Sequence, residues 1–175
     1  PIPARFVLWR DLLHTSTFQK KAQGKNMNQA VDLDELTLFR DMAHRAFEQE
    51  ITPHYEAWEE ERMVPRTLWN RLGEAGLLCP DMEEQYGGAG TSPHVTLAMI
   101  EELSEMGFGG FASSYGIHNN IIAPYLSRHG TEEQKMHWLP RMAKGEVVGA
   151  LAMTEPGAGS DVQGIRTNAV RDGDE

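Results

Sequence analysis

The sequence predicts a mainly α-helical chain that turns toward β structure near its end. Three observations carry this. From Leu33 to Met142 apolar residues recur at three- and four-residue steps, the spacing that lines one face of a helix. Helix start and stop residues punctuate that pattern, with Ser92-Pro93 and Thr131 opening helices and Gly76, Gly130 and Gly145 closing them. The period then changes: residues 146–154 are short, apolar and partly β-branched, which reads as a strand. The expected division is an upstream leader over 1–30, an all-α domain over 31–145 and the start of a β domain over 146–175.

The first helix follows from Leu33, Leu36, Phe39, Ala43, Ala46 and Phe47, which share a face. Asp34 is a fair N-cap, and Pro53 ends or kinks the helix near Thr52. Tyr55 and Trp58 extend the apolar face, and Glu59-Glu60-Glu61 mark a solvated end. Pro65 suits a first helical position, with Leu68, Leu72 and Ala75 behind it and Gly76 as terminator. Tyr86-Gly87-Gly88-Ala89-Gly90 is a glycine-rich loop without dinucleotide-binding spacing. Ser92 and Pro93 read as N-cap and first turn of a helix that buries Val95, Met99, Ile100 and Leu103. Gly107, Gly109 and Gly110 break it. The next helix carries Phe111, Tyr115, His118, Ile121, Ile122, Tyr125 and Leu126, with Pro124 as a kink. Thr131-Glu132-Glu133-Gln134 has the form of a capping box, opening a helix with Met136, Leu139 and Met142 inside.

Composition narrows the function. The 175 residues carry a net charge of −10, which argues against a nucleic-acid binder, since that needs a basic face for phosphates. No apolar run reaches the ~18 residues of a membrane span. Cys79 is the single cysteine, so no internal disulfide is expected, and a reducing compartment is inferred. The seven histidines form no HxxxH or HExxH pattern, so no metal site is expected. His118 lies on an apolar helix face and reads as a core histidine, and Cys79 as a small buried hydrophobe.

The ends differ from the middle. Residues 1–30 hold Arg5, Arg10, Lys20, Lys21 and Lys25 against Asp11, a net +4, so the remainder carries −14. Such a basic leader, with Thr15, Ser16 and Thr17, has the composition of a transit peptide. The alternative is non-native sequence ahead of a start at Met27. A first residue of Pro1 and a last residue, Glu175, within a polar stretch suggest a piece of something longer.

Chemistry concentrates where the expected strand leads into Thr154-Glu155-Pro156-Gly157-Ala158-Gly159-Ser160-Asp161. Gly157 and Gly159 let backbone approach a ligand and are free to adopt positive φ. Their N–H groups are able to converge on an anion. Thr154 and Ser160 supply hydroxyls that donate and accept. The spacing is not that of a Rossmann loop, because Val162 stands where a third glycine or alanine belongs. An ordinary glycine-rich turn is the alternative.

Residues 152–161 resemble the signature of the acyl-CoA dehydrogenase family, and Val162-Gln163-Gly164-Ile165-Arg166-Thr167-Asn168-Ala169 is similar to its long-chain subgroup. Gly76-Leu77-Leu78, Tyr86-Gly87-Gly88-Ala89-Gly90, Gly130-Thr131-Glu132-Glu133-Gln134-Lys135 and Leu139-Pro140 follow in the family's order, so the resemblance spans about residues 33–175. It implies the N-terminal helical domain of the acyl-CoA dehydrogenase fold, followed by the first strand and flavin loop of its β domain. It further implies an FAD-dependent enzyme of fatty acid β-oxidation, which introduces an α,β double bond into a long-chain acyl-CoA. Leu151, Ala152, Met153, Thr154, Glu155, Pro156, Gly157, Ala158, Gly159 and Ser160 would contact FAD, and Ser160 also the acyl-CoA. The family often has an aromatic residue where this chain has Leu151. The catalytic glutamate would lie beyond Glu175, so no residue here is expected as the base and the 175 residues alone are expected to be inactive.

The resemblance also implies an electron-transfer flavoprotein as acceptor and a homo-oligomer, tetramer or dimer, with no nucleic acid and no membrane span. A cytoplasmic location is expected, or the mitochondrial matrix should residues 1–30 be a transit segment. His118 would then line the acyl channel if it is not simply core. Two alternatives stay open: a flavin oxidase or monooxygenase of the same fold, and a free-standing helical interaction domain in which the glycine loop is only a turn.

Overall fold

The computed structural model describes residues 33–168, 170 and 173. The leader expected over residues 1–30 lies outside the described residues. The described residues divide between Ala150 and Leu151 into two units. The first contains helices α1 (Leu33–Glu50), α2 (Tyr55–Glu61), α3 (Arg66–Glu74), α4 (Pro93–Glu105), α5 (Gly109–Gly116), α6 (Ala123–His129) and α7 (Glu132–Ala143). A 3₁₀ turn, Glu84–Tyr86, precedes α4, and a π-helical stretch, Ile117–Ile122, joins α5 to α6.

Local chemistry sets most boundaries. α1 already includes Asp34 in its first turn, so that residue does not cap it. α1 stops at Glu50 and residues 51–54 form a turn, because proline disfavours helical backbone in the residue before it. Pro65 stands one position ahead of the helix, with ψ 146°; its fixed φ serves the cap position as well as the first turn. Ser92 Oγ accepts the His94 N–H at 3.3 Å, with Pro93 at the first helical position. At α7 both halves of the capping box form: Thr131 Oγ1 accepts the Gln134 N–H at 3.2 Å and Gln134 Oε1 accepts the Thr131 N–H at 2.9 Å. Pro124 does not break its helix. It is the second residue of α6, and the π-helical stretch one residue before it gives a wider turn where the proline ring would otherwise crowd the carbonyl of Asn120.

Two apolar clusters hold this unit. The larger joins Phe47 and Ile51, Trp69 and Leu72 of α3, Met99 and Leu103 of α4, and Phe111 and Tyr115 of α5. Edge-on ring contacts tie it together, Trp69 to Phe111 at 5.4 Å and Phe47 to Tyr115 at 6.3 Å. The Tyr115 hydroxyl donates to the Leu77 carbonyl, so the buried phenol is satisfied. The smaller cluster gathers Cys79, Met82, Tyr86, Ala123, Leu139 and Met142. The glycine-rich segment after Tyr86 folds back on the chain before it. Ala89 and Thr91 donate to the Pro80 carbonyl at 3.0 and 3.1 Å, and Gly90 donates to Met82 O at 2.8 Å. Its main-chain donors are spent internally, which makes it a structural turn.

A polar clamp joins α1 to α4. The Glu102 carboxylate, largely buried, accepts from Arg40 Nε at 3.1 Å and pairs with His44 Nδ1 at 2.6 Å. The bond to Glu102 raises the His44 pKa above its ordinary 6.5. A raised folded-state pKa gives stability that is complete below pH 6.5 and lost as pH rises through the folded value. The wild-type protein is therefore expected to lose unfolding free energy above pH 6.5 relative to a His44→Gln variant. Denaturant titrations across about pH 6 to 9 measure this; parallel profiles would refute the clamp.

Among the described residues the expected strand over 146–154 forms no ladder. Among the described residues the only β contact is an isolated antiparallel bridge between Glu155 and Ala158. A strand exists through its ladder partner, and β-branched composition does not supply one. No helix among the described residues is long and apolar enough to cross a membrane.

Candidate functional site

The segment from Leu151 onward forms the second unit, and its chemistry starts with a tight turn. The Glu155 N–H donates to Ala158 O at 3.0 Å, and the Ala158 N–H donates to Glu155 O at 3.1 Å. Pro156 and Gly157 are the two residues at its tip. Proline presets the first tip dihedral. Neither Gly157 nor Gly159 takes a positive φ, contrary to the freedom expected of them. A proline-led turn closes without left-handed backbone.

Glu155 is the anchor of this unit. Its Oε2 accepts the Arg166 N–H at 2.9 Å and its Oε1 accepts the Thr167 N–H at 2.8 Å. The two segments flanking the turn and the following 3₁₀ turn, Val162–Gly164, are thereby tied together. Those donors favour the ionised carboxylate and lower its pKa, the Arg166 N–H contributing most. A base that removes a proton from carbon needs the opposite shift. Glu155 is thus a structural acceptor, with both its main-chain groups and both its carboxylate oxygens engaged.

The rest of the segment is open. Leu151, Ala152, Met153 and Thr154 are exposed, as are Pro156, Gly157, Gly159 and Ser160, while Ala158 is buried. Among the described residues the main-chain N–H and C=O groups of residues 151–154 make no hydrogen bond. A Cβ placed on Gly157 or Gly159 would meet no atom within 4 Å. The exposed N–H and C=O groups of this segment and the Thr154 and Ser160 hydroxyls are placed to donate and accept hydrogen bonds. Of residues 151–160, Glu155 and Ala158 bond to each other across the turn, and the other eight, 151–154, 156, 157, 159 and 160, are exposed.

Sequence reasoning places His118 in the core and the structure agrees, since it is fully buried. What it misses is the bonding. His118 Nδ1 accepts the Gly149 N–H at 3.0 Å, which leaves Nε2 protonated and 3.3 Å from the Met142 carbonyl. The next residue, Asn119, accepts the Cys79 N–H on Oδ1 at 2.6 Å and donates from Nδ2 to Tyr115 O at 2.8 Å. Burial lowers the His118 pKa to about 4, opposed by the Met142 carbonyl and assisted by the Arg66 charge. Burial also pushes the Cys79 thiol far up, so it stays protonated as expected of an apolar core residue. Among the described residues no three His, Cys, Asp or Glu side chains gather as metal ligands.

Comparison with known proteins gives a consistent picture. Residues 33–146 match the family model described as acyl-CoA dehydrogenase, N-terminal domain. Over 136 residues the chain is 40% identical to the mitochondrial long-chain specific acyl-CoA dehydrogenase of Sus scrofa, covering 78% of this chain and 31% of that protein. An acyl-CoA dehydrogenase crystal structure from Geobacillus kaustophilus superposes with a TM-score of 0.76 at 42% identity, covering 83% of this chain and 38% of that one. A glutaryl-CoA dehydrogenase from Mycobacterium smegmatis in complex with FADH2 does so with a TM-score of 0.71 at 33% identity, covering 81% and 38%. The chain spans about a third of the length of these relatives.

Proposed function

The chain belongs to the acyl-CoA dehydrogenase family, and from that premise we propose that it supplies the helical domain and flavin-contacting segment of an FAD-dependent, long-chain acyl-CoA dehydrogenase. The observation that carries this reading is the family match over residues 33–146, followed directly by the hydroxyls and glycines of Thr154-Glu155-Pro156-Gly157-Ala158-Gly159-Ser160. FAD, when bound, accepts the hydride that leaves the β carbon of the acyl thioester. The residues present fit that cofactor: Thr154 and Ser160 supply hydroxyls, and the backbone at 151–154 supplies donors and acceptors for a ring edge. Ser160 would also meet the acyl-CoA.

Glu155, committed to two N–H donors and with its pKa lowered, does not suit proton removal from the α carbon; the family resemblance implies a glutamate beyond Glu175 for that role. Electron-transfer flavoprotein as acceptor, and a dimeric or tetrameric assembly, complete the reading.

The test uses the full-length protein that carries this chain. It is expected to purify yellow and to be bleached anaerobically by palmitoyl-CoA more efficiently than by butyryl-CoA. Thr154→Val is expected to weaken FAD binding about tenfold, the loss of one well-made hydrogen bond to a ligand. A colourless protein, or a flavin that no acyl-CoA reduces, overturns the proposal. Reduction by a nitroalkane instead would select the oxidase reading.

A further inference from the structure

We propose that His118 is a positioning residue for FAD binding, acting through the single hydrogen bond that its Nδ1 accepts from the Gly149 N–H. The inference rests on the flavin reading of residues 151–160. It begins with connectivity: Gly149 precedes Leu151 by two residues, so whatever holds Gly149 limits where the exposed segment can start. Upstream of Gly149, Val147 donates to the Arg141 carbonyl at 3.2 Å and Val148 packs against the larger apolar cluster. Among the described residues, 147–154 have no ladder to hold them, and the N–H and C=O groups of 151–154 are unbonded.

The histidine itself is held firmly. It is fully buried, its ring meets Trp69 edge-on at 5.2 Å, and Nε2 faces the Met142 carbonyl at 3.3 Å. That second bond does more than tether the ring. It places the proton on Nε2 and so leaves Nδ1 as an acceptor for Gly149. On the other side of the contact, a Cβ on Gly149 would come within 2.7 Å of Ile122. Gly149 therefore lies against the π-helical stretch that carries His118. That wide turn and the ring it carries together grip the last bonded main-chain donor before the exposed segment.

A residue that merely stabilised the helical unit would not care which of its ring nitrogens was imitated. This gives a sharp test on full-length holoenzyme. In His118→Asn the amide oxygen would stand near the Nδ1 position, with nothing at Nε2. In His118→Gln the longer amide would reach the Met142 carbonyl and leave Gly149 without its acceptor. Both lose the ring packing. His118→Asn and His118→Gln are thus expected to lower Tm by similar amounts. FAD affinity, read by flavin fluorescence quenching, is expected to fall about tenfold or more in His118→Gln and no more than about threefold in His118→Asn. Equal FAD affinity in the two variants overturns the proposal. Should His118→Gln fail to fold, amide hydrogen exchange in the wild type decides: coupling requires FAD to slow exchange at Gly149, and exchange indifferent to FAD overturns the proposal. A wild-type protein that binds no FAD would instead overturn the flavin reading beneath it.

Discussion

Gly145→Ala is expected to destabilise the protein by about 4 kcal/mol, the sum of two costs and more than any other single-methyl change in the helical unit. Gly145 sits at φ +70°, where an L side chain costs roughly 1–2 kcal/mol. Its new Cβ would also stand 2.1 Å from the Trp69 carbonyl oxygen and 2.4 Å from the Trp69 carbonyl carbon. Those atoms belong to the backbone of α3, which cannot rotate aside as a side chain would. Overpacking of that kind costs about 1–3 kcal/mol, occasionally more. The same contact seen from α3 is equally close, since a Cβ on Gly73 would fall 2.3 Å from the Lys144 carbonyl carbon. The turn that ends α7 and helix α3 therefore meet backbone to backbone. Gly107→Ala is the control, with φ +86° but no atom within 4 Å of the added Cβ, and is expected to cost about 1 kcal/mol. Urea denaturation of the two variants measures the difference, and equal costs would refute the close-approach argument.

The second large effect is expected in acid. Burial lowers the His118 pKa to about 4 from an ordinary 6.5. The unfolded chain then takes up a proton below pH 6.5 that the folded chain refuses. Stability contributed by the neutral ring is complete above pH 6.5 and is lost as pH falls toward 4. The full amplitude is about 3 kcal/mol, the free-energy equivalent of that shift. Wild type is expected to be more stable than His118→Asn at about pH 7, with the gap narrowing by about 3 kcal/mol at about pH 4. A gap that stays constant would show that the ring is not held neutral. The His44–Glu102 pair acts in the opposite sense and above pH 6.5, so the two histidines are separable by pH alone.

Much of this was readable in the chain. The helices of α1, α4 and α7 follow from apolar spacing, and their limits from Pro53, Ser92-Pro93 and the Thr131–Gln134 capping box. These are local effects, complete within a few residues, so sequence order carries them. The family was legible for a related reason: a run such as Thr154-Glu155-Pro156-Gly157-Ala158-Gly159-Ser160 is dense in residues with special backbone or hydrogen-bonding chemistry.

What the chain order concealed were the relations between distant residues. Glu155 reads as one more loop residue until Arg166 and Thr167, eleven and twelve positions on, bring their N–H groups to its oxygens. The strand expected at 146–154 needed a partner that composition cannot specify. Pro124 announced a perturbation, yet whether it became a kink or a π-helical stretch depended on the surroundings of His118 and Asn119. By itself, then, the sequence determined the helical class, most of the caps, the family and the segment where hydroxyls and glycines gather. Only tertiary structure decided that His118 grips Gly149, that Glu155 is spent as an anchor and that α3 touches the end of α7 through bare backbone. Periodicity and capping are short-range and leave their mark on neighbouring residues. Hydrogen bonds such as Arg166 to Glu155, and steric contacts such as Gly145 against Trp69, exist only once the chain has folded.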